Sequence, residues 1–249
     1  MRSGDGATLR PVGDELGPLL ARGRDGDIFE FGTDRVLRRA RDGRSIEHEA
    51  RIMDYLGARG FSVPAIHEVR ASGTEIVMDR VVGPTMLAAV SRRPWTLARH
   101  ARVLADLHRQ LHEIDAPDWL PQLADGGDRV VHLDLHPLNV LYGPRGPVLI
   151  DWTNAARGRA ETDLAQTWLI VAAADTSDLG FVARFAAPLQ AHLAHLVIRE
   201  FDRDRIVPFL RPVAESRARD RHVRPGEVQA MHRLTDREER RLTRRAPTR

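Results

Sequence analysis

The chain has 249 residues, 38 basic against 35 acidic, and no cysteine, which excludes a disulfide framework, a thiolate zinc site and thiol redox chemistry. All the basic residues are arginine and only two tyrosines occur, so little titrates between histidine and arginine; a pI near 10.3 then accompanies a net charge of only +3 and is no nucleic-acid signature by itself. The length fits a single enzyme domain, the start Met1-Arg2-Ser3-Gly4-Asp5-Gly6 lacks an apolar secretion segment, and the longest apolar run, Trp168 to Ala174, is too short to span a bilayer, so the expected location is the cytoplasm.

From the start, Leu19-Leu20-Ala21-Arg22, a turn at Gly23-Arg24-Asp25-Gly26, Ile28-Phe29-Glu30-Phe31 and Val36-Leu37-Arg38 predict three strands around a loop. Two glycines in a hairpin suit either a plain turn or a backbone cover for phosphates. Ile46, Ala50, Met53 and Leu56 or Gly57 recur at helical spacing, predicting an amphipathic helix over 45–57 with Ser45 as N-cap. Glu49 falls on its apolar face, where an unpaired carboxylate is costly, and Arg38 is the natural partner. Glu75-Ile76-Val77-Met78 reads as a strand and Gly83-Pro84 as a break, which divides the chain into 1–82 and 83–249 with the joint near 79–83. Leu97, Ala101, Leu104, Leu111 and Ile114 predict a long buried helix over 96–114. His108 and His112 stand at i, i+4 on it, but Arg109 replaces the glutamate that a zinc-protease helix would carry; they read as core histidines satisfied by hydrogen bonds.

The chemistry concentrates in His132-Leu133-Asp134-Leu135-His136-Pro137-Leu138-Asn139, followed by Asp151 in Val148-Leu149-Ile150-Asp151-Trp152. Val130-Val131 and Val140-Leu141-Tyr142 read as short strands flanking a polar loop, and the turn-rich Gly143-Pro144-Arg145-Gly146-Pro147 makes a hairpin with Val148-Leu149-Ile150 that returns Asp151 towards Asn139. An Asp beside an acceptor hydroxyl, with Asn139 and Asp151 as hard oxygen ligands, is what magnesium and a triphosphate require. A rival reading takes His132, Asp134 and His136 as a zinc triad of a hydrolase, pointing to one side by strand alternation; it leaves Asn139 and Asp151 without a task.

At these residues the chain resembles the aminoglycoside phosphotransferase and choline kinase group, relatives of the protein kinases. The family pattern H-[GN]-D-x-x-x-x-N, then I-D-[WF], stands here as His132-Leu133-Asp134 with Asn139, then Ile150-Asp151-Trp152; Leu133 departs from the usual small residue. The order of further segments agrees: Val36-Leu37-Arg38, residues 45–57, Met78-Asp79-Arg80-Val81-Val82-Gly83, Ala105-Asp106-Leu107-His108 and Asp163-Leu164-Ala165. The resemblance implies an α+β, protein-kinase-like fold, with an N-terminal antiparallel sheet lobe and a mainly helical C-terminal lobe. It also implies an enzyme using ATP, with GTP as the alternative donor, and Mg2+. Asp134 is then the catalytic residue, and Asn139 and Asp151 are the metal ligands. Arg38 with Glu49, the Gly23 and Gly26 loop, and main-chain atoms of Asp79 and Val81 are the nucleotide-side residues. Asp163, read from sequence as the N-cap of an apolar helix, would also tie that helix to the catalytic loop. A non-catalytic pseudokinase is the remaining alternative, and the intact Asp134, Asn139 and Asp151 argue against it.

For the acceptor, the expectation is a small-molecule hydroxyl compound, with neither membrane nor nucleic acid as partner; oligomeric state has no signature. A polycationic aminoglycoside needs carboxylates, for which Asp175, Asp178, Glu200, Asp202 and Asp204 are candidates, but arginines are interleaved with them. From Arg211 onward twelve arginines face six acidic residues, so a neutral or anionic acceptor is at least as well supported. In this tail, Thr235-Asp236-Arg237-Glu238 reads as a capping box opening a short charged helix before Arg244-Arg245-Ala246-Pro247, with a solvated face.

Overall fold

The computed structural model describes residues 15–23, 25–175 and 183–245, in two compact units. The first takes the chain up to Ala58 together with Pro64–Val81, and the second takes Arg59–Val63 with the chain from Val82 onward.

The first unit is one antiparallel sheet and a helix. Strands β1 (Leu16–Arg22), β2 (Gly26–Phe31), β3 (Arg35–Ala40), β4 (Ile66–Arg70) and β5 (Glu75–Asp79) lie in the order β1-β2-β3-β5-β4, and α1 (Glu47–Gly57) joins β3 to β4. Val36, Leu37, Arg38 and Ala40 are all buried, so β3 is covered on both faces, as a central strand should be. Phe31, Leu37 and Val77 form the sheet's core, whereas β1 is a largely exposed edge that slips register twice against β2. At Gly26 a Cβ would lie 2.8 Å from the Arg39 carbonyl oxygen, so the cross-strand approach itself demands glycine there. Strand β4 escapes sequence reading because Ile66-His67-Glu68-Val69-Arg70 has no apolar run and stays mostly exposed. The predicted cap also moves: Ile46 is the N-cap of α1, and Ser45 accepts the Glu47 N–H at 3.3 Å from one position further out.

In the second unit, α2 (Met86–Arg92) and α3 (Leu97–His112) precede two short two-stranded pairings and four helices. Strand β6 (Arg129–Val131) pairs with β9 (Ala156–Gly158), and β7 (Val140–Gly143) with β8 (Gly146–Leu149), all antiparallel. Helix α4 (Ala160–Ala173) packs against α3, α5 (Ala183–Ile198), α6 (Arg203–Arg217) and α7 (Pro225–Arg245). Residues 59–63, assigned from sequence to the first lobe, dock on this unit: Phe61 meets Trp152 edge-on at 5.8 Å, and Ser62 accepts the Leu149 N–H at 3.0 Å.

Two sequence-based caps are corrected here. Helix α4 starts at Ala160 with Arg159 in the N-cap position, which places Asp163 inside the first turn. The tail is one helix of 21 residues, with Thr235 buried in its middle, because Met231, Leu234, Thr235 and Glu238 carry the inward stripe straight through the supposed cap. Ala246-Pro247, Asp178, Arg24 and the first six residues lie outside the described residues. Among the described residues no helix is long and apolar enough to cross a membrane.

Candidate active site

The β7–β8 hairpin pairs Val140 with Leu149 and Leu141 with Val148, and the next step of the ladder is a hydrogen bond from Ile150 N–H to the Asn139 carbonyl at 3.0 Å. Asn139 and Asp151 are thereby neighbours at the open end of one hairpin. Asn139 directs its Nδ2 to the Asp134 carbonyl at 2.9 Å and to Asp134 Oδ2 at 3.1 Å. Its Oδ1 is then the amide atom left to face a cation, and with the Asp151 carboxylate it makes a hard-oxygen donor set suited to magnesium. Thr153 donates to Asp151 Oδ1 at 2.8 Å.

Asp134 has His136 Nε2 at 3.5 Å from Oδ2. Burial presses this carboxyl upward, but the His136 hydrogen bond and the nearby His136, His132 and Arg217 side chains outweigh it, holding Asp134 below the usual carboxylate range. It therefore stands ionised at neutral pH, as an acceptor of a hydroxyl proton must.

The loop is shaped by two residues in left-handed backbone, Leu133 at φ 62° and Asp151 at φ 65°. Such a conformation is costly for any residue with a Cβ, and it accounts for the small residue in the family pattern at the position of Leu133. The Leu133 turn also breaks the strand alternation on which the zinc reading rests. Fully buried His132 accepts the Asp134 N–H on Nδ1 at 3.2 Å and donates from Nε2 to the Ile150 carbonyl at 3.1 Å, so both ring nitrogens are committed. Burial pushes its imidazolium down, and it packs edge-on against Trp152 at 4.6 Å. His132 is a staple between the Asp134 and Asp151 segments, and the His132, Asp134, His136 triad does not form as a ligand set.

Beneath the loop Asp163 Oδ1 accepts the Leu133 N–H at 2.7 Å, and its Oδ2 accepts from His112 Nε2 at 2.9 Å. Although burial alone would raise it, the neighbouring His108 and His112 rings hold the Asp163 carboxyl well below the usual range. Thr167, which the sequence reading passed over, donates to the Leu135 carbonyl at 2.8 Å. The available signal was a polar residue one turn after Asp163 on an otherwise apolar helix.

In the first unit, Arg38 Nε lies 3.0 Å from Glu49 Oε2, and both side chains are buried. Gly23 donates its N–H to the Gly26 carbonyl at 2.8 Å, which closes the turn between β1 and β2. Asp79 gives its N–H to Ala65 at 2.9 Å and takes His67 Nε2 on its carboxylate at 2.7 Å, while half-buried Val81 ends the unit.

Of the five carboxylates considered for a cationic acceptor, the four among the described residues are engaged. Asp175 pairs with Arg224 at 2.9 Å, Glu200 with Arg109 at 3.1 Å and Asp204 with Arg245 at 3.8 Å, and Asp202 caps α6 by accepting the Asp204 N–H at 3.1 Å.

The family model described as "Phosphotransferase enzyme family" matches residues 18–126 and 113–209. Among solved structures, the chain is similar to an aminoglycoside-3'-phosphotransferase of type VIII, at 19% identity and a TM-score of 0.56, covering 92% of this chain and 94% of that one. A choline/ethanolamine kinase family protein from Mesorhizobium loti aligns at 15% identity and a TM-score of 0.51 over 97% and 91% of the two chains. An aminoglycoside phosphotransferase solved with gentamicin, APH(2")-IIa, aligns at 15% and 0.57 over 90% of each. These likenesses establish a protein-kinase-like α+β fold. No curated protein sequence matches the chain.

Proposed function

Since the chain belongs to the phosphotransferase enzyme family, we propose that it is an ATP- and magnesium-dependent O-phosphotransferase acting on a hydroxyl of a small molecule. The observation that carries this reading is the single loop and hairpin that hold an ionised Asp134 against Asn139 and set Asn139 beside Asp151.

Asp134 accepts or orients the proton of the acceptor hydroxyl as that oxygen forms its bond to the γ-phosphorus and the bond to ADP breaks. Asn139 Oδ1 and the Asp151 carboxylate would hold magnesium, which supplies positive charge to the phosphate oxygens. Arg38, oriented by Glu49, contributes a permanent cation to non-bridging oxygens through the donors on its other edge. The Gly23 and Gly26 turn would cover phosphates with backbone, and Asp79 and Val81 would meet the base through main-chain atoms.

A neutral or anionic acceptor is favoured over a polycation, because the described carboxylates that could trap one are engaged by arginine or by a helix cap, and Arg217 adds positive charge around Asp134.

The test is magnesium-dependent ADP release across aminoglycosides, other hydroxylated antibiotics, amino alcohols, sugars and hydroxy acids, with Asp134→Asn in parallel. Turnover that disappears in Asp134→Asn while ATP affinity persists is the expected result. Equal turnover in the variant would overturn the role of Asp134, and absence of any magnesium-ATP binding would overturn the function.

A further inference from the structure

We infer that His108 and Thr167 are positioning residues for the transfer reaction, forming a second pin that sets the backbone of Asp134 from beneath the loop. The inference rests on the reading of Asp134 as the proton acceptor.

Asp134 stands between two backbone groups that are both tied to α4. On one side the Leu133 N–H goes to Asp163 Oδ1 at 2.7 Å; on the other the Leu135 carbonyl takes the Thr167 hydroxyl at 2.8 Å. Asp163 and Thr167 are one helical turn apart, so they present their polar atoms on one face of α4. His108 and His112 do the same on α3. His108 Nε2 lies 3.0 Å from Thr167 Oγ1, while its Nδ1 lies 3.4 Å from Asp163 Oδ2, so the imidazole stands beside both pins and is bonded to the Thr167 one.

The proton count fixes the direction of each bond. A threonine hydroxyl has a single proton, and here it is given to Leu135; the contact with His108 must therefore be donated by the ring, which puts a proton on Nε2. With that lone pair taken, the hydroxyl cannot rotate away from the loop without breaking two bonds. His108, Asp163 and Thr167 are at most 1% exposed, so no water replaces what is lost. Packing does not explain a hydroxyl here, since its neighbours on α4, Leu164, Ala165, Trp168 and Leu169, are buried and apolar and valine has the same shape.

A metal ion is the competing chemistry, because donor atoms of His108, His112 and Asp163 lie within 4.8 Å of one another and His108 Nδ1 makes no hydrogen bond. The experiment separates the two. Thr167→Val removes the hydroxyl at constant volume and Thr167→Ser restores it, with circular dichroism to confirm folding. Hydrogen exchange of the amides in residues 132–136 should be roughly ten- to hundredfold faster in Thr167→Val, with kcat lower by a similar factor, ATP affinity unchanged, and both effects reversed in Thr167→Ser. Exchange and turnover at wild-type level in Thr167→Val, or no rescue by Thr167→Ser, would overturn the inference. So would stoichiometric zinc in the purified protein that disappears in His108→Gln. Exchange needs no acceptor, so it decides the pin even where wild-type protein shows no turnover, an outcome that counts against the proposed function alone.

Discussion

Glu49 and Asp163 are both carboxylates with 3% exposure or less, one in each unit, and they are used in opposite ways. Glu49 meets a side chain, the permanently charged guanidinium of Arg38. Asp163 meets the main chain, through the Leu133 N–H, and two titratable rings. The first arrangement aims a cation; the second bends a loop and holds a leucine in left-handed backbone. A buried charge is costly in either case, so each must be judged by what its partner does with it.

The largest expected effect breaks the second arrangement. Asp163→Ala leaves the Leu133 N–H and the half-buried His112 without their acceptor, and should cost about 3–5 kcal/mol, seen as loss of soluble folded protein or a collapsed denaturant midpoint. Glu49→Gln keeps the shape and some hydrogen bonding beside Arg38, so its stability cost should be about 1–3 kcal/mol, accompanied by weaker ATP binding in titration calorimetry. If Asp163→Ala unfolds at the wild-type midpoint, the contrast between the two sites fails.

Acid sharpens the same contrast. Burial holds His108 and His132 below their ordinary 6.5, so the unfolded chain takes up protons first and stability should decline as pH falls through that value. Asp163 titrates well below 3.8 when folded, so its contribution is complete above the ordinary carboxylate range and is lost only as pH falls through the lower value. Urea midpoints should therefore show a slope starting below 6.5 and a steeper one below 3.8. A flat midpoint from pH 7.5 to 5 would contradict the neutral burial of the two histidines.

The smallest effect concerns the backbone strain that Asp163 maintains. Leu133→Asn places a residue tolerant of left-handed backbone at φ 62° and should raise stability by up to about 1 kcal/mol, whereas Leu133→Val should lower it. Matching changes in both variants would place the cost in side-chain packing instead.

Much of the site is legible in local pattern. The hairpin that joins Asn139 to Asp151 follows from strand alternation around a Gly-Pro turn, and the Arg38 and Glu49 pair from a carboxylate on an apolar helical face. Helix ends were less legible: Ser45, Asp163 and Thr235 all have capping chemistry, yet Ser45 sits outside its helix and the other two sit inside theirs, because packing of the apolar stripe decides where a helix stops. Strand β4 left no apolar trace, since an edge strand needs only backbone partners.

The sequence by itself determined the short-range chemistry: which residues carry oxygen donors, how far apart they stand, and which helices and hairpins present them. Only the tertiary structure decided that His108 reaches Thr167 across 59 positions and that Asp163 takes Leu133 across 30. It also decided that His132 turns both nitrogens inward and withdraws from any zinc triad. Periodicity reports which face of an element is buried; it carries no record of which donor on another element will meet an acceptor there, because that match is made only when both faces pack.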